Sequence, residues 1–136
     1  MFSKIVLALD GTEQSRPAID AVRDLATTAK VTAVHVVVHA LEPKQQRIAE
    51  AQVEELRYTG INAHLELGSS LMGEEAEAIG KVAEEFGADV IVIACRGRSP
   101  IAGAVLGSTT QDLLHVAPCP VLAIPVASKV EATAKA

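Results

Sequence analysis

Apolar positions along the chain fall into two rhythms that alternate. "KIVLAL" (residues 4–9) is apolar throughout after its lysine and stops at the turn pair Asp10-Gly11, the pattern of a buried strand. The next segment places Ala18, Ile19, Val22, Leu25, Ala26 and Ala29 along one helical stripe, with Pro17 where a first turn tolerates a missing N–H. "VTAVHVVV" (31–38) returns to strand and is apolar on both faces, as in a parallel strand covered by helices on each side, so it is placed centrally. From Pro43 to Tyr58 a narrow stripe of Ile48, Ala49, Val53 and Leu56 predicts a surface helix ended by Gly60. "INAHLEL" (61–67) alternates apolar and polar, which suits a strand near a sheet edge, and Gly68-Ser69-Ser70 marks a turn. Met72, Ala76, Ile79, Ala83 and Phe86 then form a helical stripe capped by Gly87, although Gly80 inside it costs about 1 kcal/mol relative to alanine. "DVIVIA" (89–94) and "CPVLAIPV" (119–126) complete the strands, with Pro118, Pro120 and Pro125 confining the last to an edge.

Strand and helix thus alternate, which predicts an α/β protein with an open, doubly wound parallel sheet and right-handed crossovers. In such sheets ligands sit beyond the carboxyl ends of the strands, where the strand order reverses. Asp10 and the segment after the fourth strand both lie at those ends. A length of 136 residues fits one domain. The boundaries expected are a domain over 1–127 and a flexible C-terminal tail over 128–136, "ASKVEATAKA" being its weakly patterned surroundings. With 49% hydrophobic but only 2% aromatic residues, the core must be built from Val, Ile, Leu and Ala.

Charge narrows the partners. A formal net charge of −5 without a long basic run argues against nucleic acid, while leaving room for a local anion site. The apolar runs are far shorter than the roughly 20 residues of a membrane helix, and the N-terminal "MFSKIVLALDG" lacks the layout of a secretory signal. A cytoplasmic location without membrane association is the expectation. Cys95 and Cys119, the two cysteines, match no zinc spacing and suit a reducing compartment.

Chemistry concentrates in "CRGRSPIAGAVLGSTTQD" (95–112). Thirteen residues, Cys95 to Gly107, separate the fourth apolar run from Ser108, whereas such loops usually run to about 2–6 residues. Ser108 with Gln111, and Thr109 with Asp112, have capping-box spacing and predict a helix start bearing hydroxyls. Helix starts present unpaired N–H groups and partial positive charge, and Gly107 would let a phosphate approach the backbone. Arg96 and Arg98 add charge. Neither G-x-x-x-x-G-K-[ST] nor G-x-G-x-x-G occurs, so residue patterns alone reach only an anion site.

"GRSPIAGAVLGSTTQDLLHVAPCPVLAIP", with Gly97, nine intervening residues and then Gly107-Ser108, resembles the second half of the universal stress protein signature, G-x2-G-x9-G-[ST]. "KIVLALDGTEQS" and "VHVV" are similar to the same family at its other landmarks, and the likeness spans nearly the whole chain except the tail. The resemblance implies a five-stranded Rossmann-like sheet, of adenine nucleotide alpha hydrolase-like type, in the order 3-2-1-4-5, with dimerisation through the fifth strand. In one branch of the family it implies a site for ATP or a related adenine nucleotide such as AMP or cyclic AMP. Carried over by motif, Asp10 and the backbone of Ala8 and Leu9 lie near adenine or ribose, and Val36 meets the adenine edge. Gly97, Arg98, Gly107, Ser108 and Thr109 surround the phosphates, with Thr110 close behind and Arg96 on the same loop. Mg or Mn would bridge phosphate oxygens without a protein cage of its own. The family's first glycine falls here on Ala94. If that glycine supplied a positive backbone angle, alanine is strained; if it supplied closeness to a ligand, one methyl group intervenes.

No strong general base or phosphate-binding lysine is in evidence, so the reading is a stress-response regulator or sensor that binds nucleotide, with at most slow hydrolysis. The alternatives are a family member that acts through its dimer without nucleotide, and a flavodoxin-type carrier, disfavoured by the scarcity of aromatics. His35 and His39 share a strand face but lack a third zinc ligand, and His64 and His115 read as surface or helix-end residues. Cys95 beside two arginines is a candidate redox thiol if exposed.

Overall fold

The structure is a computed structural model and describes residues 2–28, 31–39, 42–68, 74–96 and 108–126. Elements run β1 (Lys4–Leu9), a single 3-10 turn (Glu13–Ser15), α1 (Arg16–Thr28), β2 (Ala33–Val38), α2 (Pro43–Tyr58), β3 (Ala63–Leu67), α3 (Glu75–Phe86), β4 (Val90–Arg96), α4 (Ser108–Val116) and β5 (Val121–Val126). The strands form one parallel sheet in the order β3-β2-β1-β4-β5. This is the order the resemblance implies, with β1 in the middle and β2, expected as a central strand, interior between β1 and β3.

Strand alternation sorts the core into two layers. Ile5, Leu7 and Leu9 of β1 join Val34, Val36 and Val38 of β2 beneath α1 and α2, where Ile19, Val22, Val53 and Leu56 are fully buried. Val6 and Ala8 face the other way, with Val37, Ile91 and Ile93, onto Ala76, Ile79 and Ala83 of α3 and Leu113 of α4. Each such Val, Ile or Leu contributes about 1.5–3 kcal/mol by leaving water, so this two-sided burial is what makes β1 and β2 continuously apolar.

Gly80, unfavourable for helix propensity, lies where α3 meets α4: a Cβ there would stand 3.3 Å from the Val116 carbonyl oxygen. Its cost in α3 is the condition for close helix packing. Gly87 ends α3 with φ of 74°, the left-handed cap expected of it. The third strand is an edge, as its alternation predicts, and the Arg57 Nε–H donates to the Ala63 carbonyl at 2.9 Å. Met72 and the tail lie outside the described residues.

The fourth strand is longer than its apolar run. Cys95 and Arg96 continue the ladder opposite Pro125 and Val126 of β5, so what reads as the start of a loop is strand. Backbone pairing, which side-chain polarity does not report, extends it.

Candidate functional site

After β1 the chain goes first to one side of the sheet, to β2, and later to the other, to β4. The carboxyl ends of β1 and β4 therefore flank the point where the order reverses, which is where open α/β sheets form a ligand crevice. The turn after β1 starts from one of these ends, and the segment that leads to the start of α4 leaves from the other.

The turn after β1 is tied by Asp10. Its Oδ1 accepts from the Thr12 N–H at 3.1 Å, the Thr12 hydroxyl at 2.7 Å and the Ser15 hydroxyl at 3.1 Å. These are Asx-turn interactions, and they hold the 3-10 turn that leads into α1 and packs beside β4. Gly11 between them has φ of 76°, and a Cβ there would collide with the backbone carbonyl of Gln45 at the start of α2. Glycine is required twice over, for its angle and for the close approach of α2. Gln52, buried in α2, donates its Nε2–H to the Thr12 carbonyl at 3.1 Å and fixes the turn from behind.

Ala8 and Leu9 are buried in the last two positions of β1. Val36 is wholly buried opposite Leu7, two residues before the end of β2, with its side chain in the layer under α1 and α2. Ala94 lies inside β4, paired with Ile124 and packed against the same layer. Among the described residues no non-glycine residue has positive φ, so Ala94 holds an ordinary strand conformation. The backbone-strain alternative is thereby removed, and the effect of Ala94 reduces to the space its methyl group takes. Arg96 ends β4, and α4 starts at Ser108 as the hydroxyl cluster predicts. Thr109 is half-buried and Thr110 is 2% exposed, directed into the protein from the first turn of α4. Gly97, Arg98 and Gly107 lie outside the described residues.

The remaining candidates resolve into structural roles. The His35 ring packs edge-on against His64 and Phe86, with centroids 5.0 and 5.1 Å away, and its Nε2 lies 3.6 Å from the Glu66 carboxylate. Among the described residues no group of three or more His, Cys, Asp or Glu is placed to hold a metal ion. His39, one residue past β2, donates its N–H to the Leu9 carbonyl at 3.0 Å, and its ring covers Gly68, where a Cβ would strike it. Burial holds its pKa below the usual histidine value, opposed by the charge of Glu75. Cys95 is buried rather than exposed, and burial, then the charge of Asp89, pushes the Cys119 thiol up.

Sequence reasoning missed Gln45 and Gln52, which support the β1–α1 turn from α2. Both sit on a helix whose polarity reads as a solvated face, and a buried glutamine has no local signature.

The arrangement defines a doubly wound α/β protein whose strand order reverses between the first and fourth strands. The chain belongs to the universal stress protein family, whose family model matches residues 1–125. A universal stress protein of Thermus aquaticus is 32% identical, the alignment covering 91% of this chain and 99% of that one. The solved universal stress protein of Archaeoglobus fulgidus superposes with a TM-score of 0.74 at 23% identity, covering 91% of this chain and 99% of the other. A universal stress protein solved in complex with cAMP does so with a TM-score of 0.66 at 22% identity, covering 92% and 98%. No helix among the described residues is long and apolar enough to cross a membrane.

Proposed function

We propose that this chain binds ATP, AMP or cyclic AMP in the crevice between β1 and β4 and acts in the cytoplasm as a stress-response regulator, with at most slow hydrolysis. The observation that carries the reading is the Asp10 turn at the carboxyl end of β1, packed beside β4 where the strand order reverses. In this reading α4 offers unpaired N–H groups and a positive dipole end to phosphates, with Ser108 and Thr109 in its first turn. The backbone of Ala8 and Leu9 borders the base or ribose, and the family motif assigns Gly97, Arg98 and Gly107 to the phosphates. Mg or Mn would ride on phosphate oxygens. That a family member of the same fold was solved with cAMP supports an adenine nucleotide as the ligand class.

A second reading, a dimer-forming module that has lost the nucleotide, is favoured by Ala94 in β4 and by the commitment of Asp10 Oδ1 to its own turn. Both readings share the dimer, which would cover the β5 edge, where Leu122 is exposed.

The test is to denature protein purified without added nucleotide and identify released small molecules by mass spectrometry. Calorimetric titration with ATP, AMP and cyclic AMP, with and without Mg²⁺, follows. Heat with one of them supports the first reading; neither heat nor released nucleotide leaves the second. Gly107→Val should abolish binding with the fold intact, and unchanged affinity would remove the phosphates from that loop.

A further inference from the structure

On the α1 and α2 face, apart from the β1–β4 crevice, a groove of about 500 Å³ lies between the start of α1 and one side of α2 from Lys44 to Glu55. We propose that it is a second binding site, for a small phosphorylated molecule that carries a hydroxyl group.

The volume lies within the range of small-molecule sites. Its charges are arranged against helix electrostatics: Arg16 is the first residue of α1, and Lys44 and Arg47 stand in the opening turns of α2. Neither helix has an acidic residue in its first turn, although Glu42 caps α2 from outside. Cations at a helix start face its positive end and gain from a bound anion. Arg16 is answered by Glu55, which also faces Arg23 at 3.5 Å. Lys44 and Arg47 have no ion-pair partner among the described residues. Two cations suit one phosphate, while Glu13 on the rim and the net charge of −5 disfavour a long polyanion.

A second observation points to the hydroxyl. Gln52 lines the groove at 3% exposure; its Nε2 is committed to Thr12, and its Oε1 is buried without a hydrogen-bond partner. Buried acceptors are rarely left so. A phosphate monoester in its dianionic form has no O–H to donate to it, but a hydroxyl two or three atoms away in the same molecule can. Because Gln52 also holds the turn of Asp10, the groove abuts the β1–β4 crevice through one side chain.

The experiment is an amide chemical-shift titration with sn-glycerol 3-phosphate and, separately, methyl phosphate, at a mildly alkaline pH where both are dianions. Glycerol 3-phosphate should move the amides of Arg47, Ala51 and Gln52 and bind about tenfold more tightly than methyl phosphate. The double variant Lys44→Gln, Arg47→Gln keeps the polar, exposed character of both positions and should lose about tenfold or more in affinity with unchanged melting. Gln52→Met should erase the difference between the two probes. Gly107→Val, which disables the nucleotide site under the reading above, should leave this binding intact, so the two proposals fail separately. Undiminished affinity in the double variant, shifts gathered at Ser108–Thr110, or a response to an acidic peptide but to neither probe would each overturn the assignment.

Discussion

Replacing Gly11 by alanine tests whether the turn after β1 is held by local angle alone or also by contact with α2. The angle, φ of 76°, is nearly that of Gly87 at 74°, yet a Cβ at Gly87 meets nothing nearer than the Lys4 Nζ at 3.9 Å, whereas at Gly11 it meets the Gln45 backbone. The left-handed conformation costs alanine about 1–2 kcal/mol, offset by about 0.4–1 kcal/mol from the stiffer unfolded chain, so Gly87→Ala should lose about 1 kcal/mol. At Gly11 the same balance applies, and displacing a helix backbone adds an overpacking cost of about 1–3 kcal/mol. The expected loss for Gly11→Ala is therefore about 2–4 kcal/mol, a large part of a total near 5–15 kcal/mol. Urea unfolding followed by circular dichroism reads both variants, with equal m-values showing that stability alone has changed. Gly60→Ala, with φ of 91° and open space around it, is a second control. If Gly11→Ala loses no more than these two, α2 does not brace the turn and the case for Gln45 and Gln52 as its supports fails.

Other outcomes follow from single contacts. Gly80→Ala gains about 1 kcal/mol of helix propensity but sets a methyl group 3.3 Å from the Val116 carbonyl, so its net effect on urea stability should stay within about 1 kcal/mol; a full gain would show that α4 yields freely. Asp89 accepts from the Lys4 N–H, the Ser3 N–H and the Ser3 hydroxyl, which lower its pKa from 3.8 to about 2. Its contribution is complete above 3.8 and is lost as pH falls toward 2, so Asp89→Asn should flatten the acid limb of the stability–pH curve; an unchanged limb would refute this. His39 has a pKa lowered from 6.5, so its neutral form favours folding: stability is complete above 6.5 and falls as pH drops through the lower folded value. His39→Asn should remove that slope, and an identical slope in the variant would assign it to another group.

The fold was legible because burial on both faces of the sheet leaves few ways to write β1, β2 and β4: Ile5, Leu7, Val34 and Val92 serve one layer, Val6, Val37 and Ile93 the other. The stripe from Pro43 to Tyr58 gave a helix with the observed bounds because α2 buries one narrow face. What escaped was what one element does to another. Polarity placed Cys95 and Arg96 in a loop, whereas pairing with Pro125 and Val126 makes them strand. Gly80 reads as a flaw in α3 until Val116 is seen against it. At the candidate site the difference is sharper. Asp10 is a turn residue by spacing, and three hydrogen bonds make it one, so the same side chain serves the turn whether or not a nucleotide lies beyond it. A functional role must then come from the position of the whole turn, beside β4 and braced by Gln52, rather than from the carboxylate alone. For that reason the telling substitutions at this site are those that move the turn without discharging it, Gly11→Ala and Gln52→Met. If nucleotide binds in the crevice, both should weaken it while Asp10 keeps its charge.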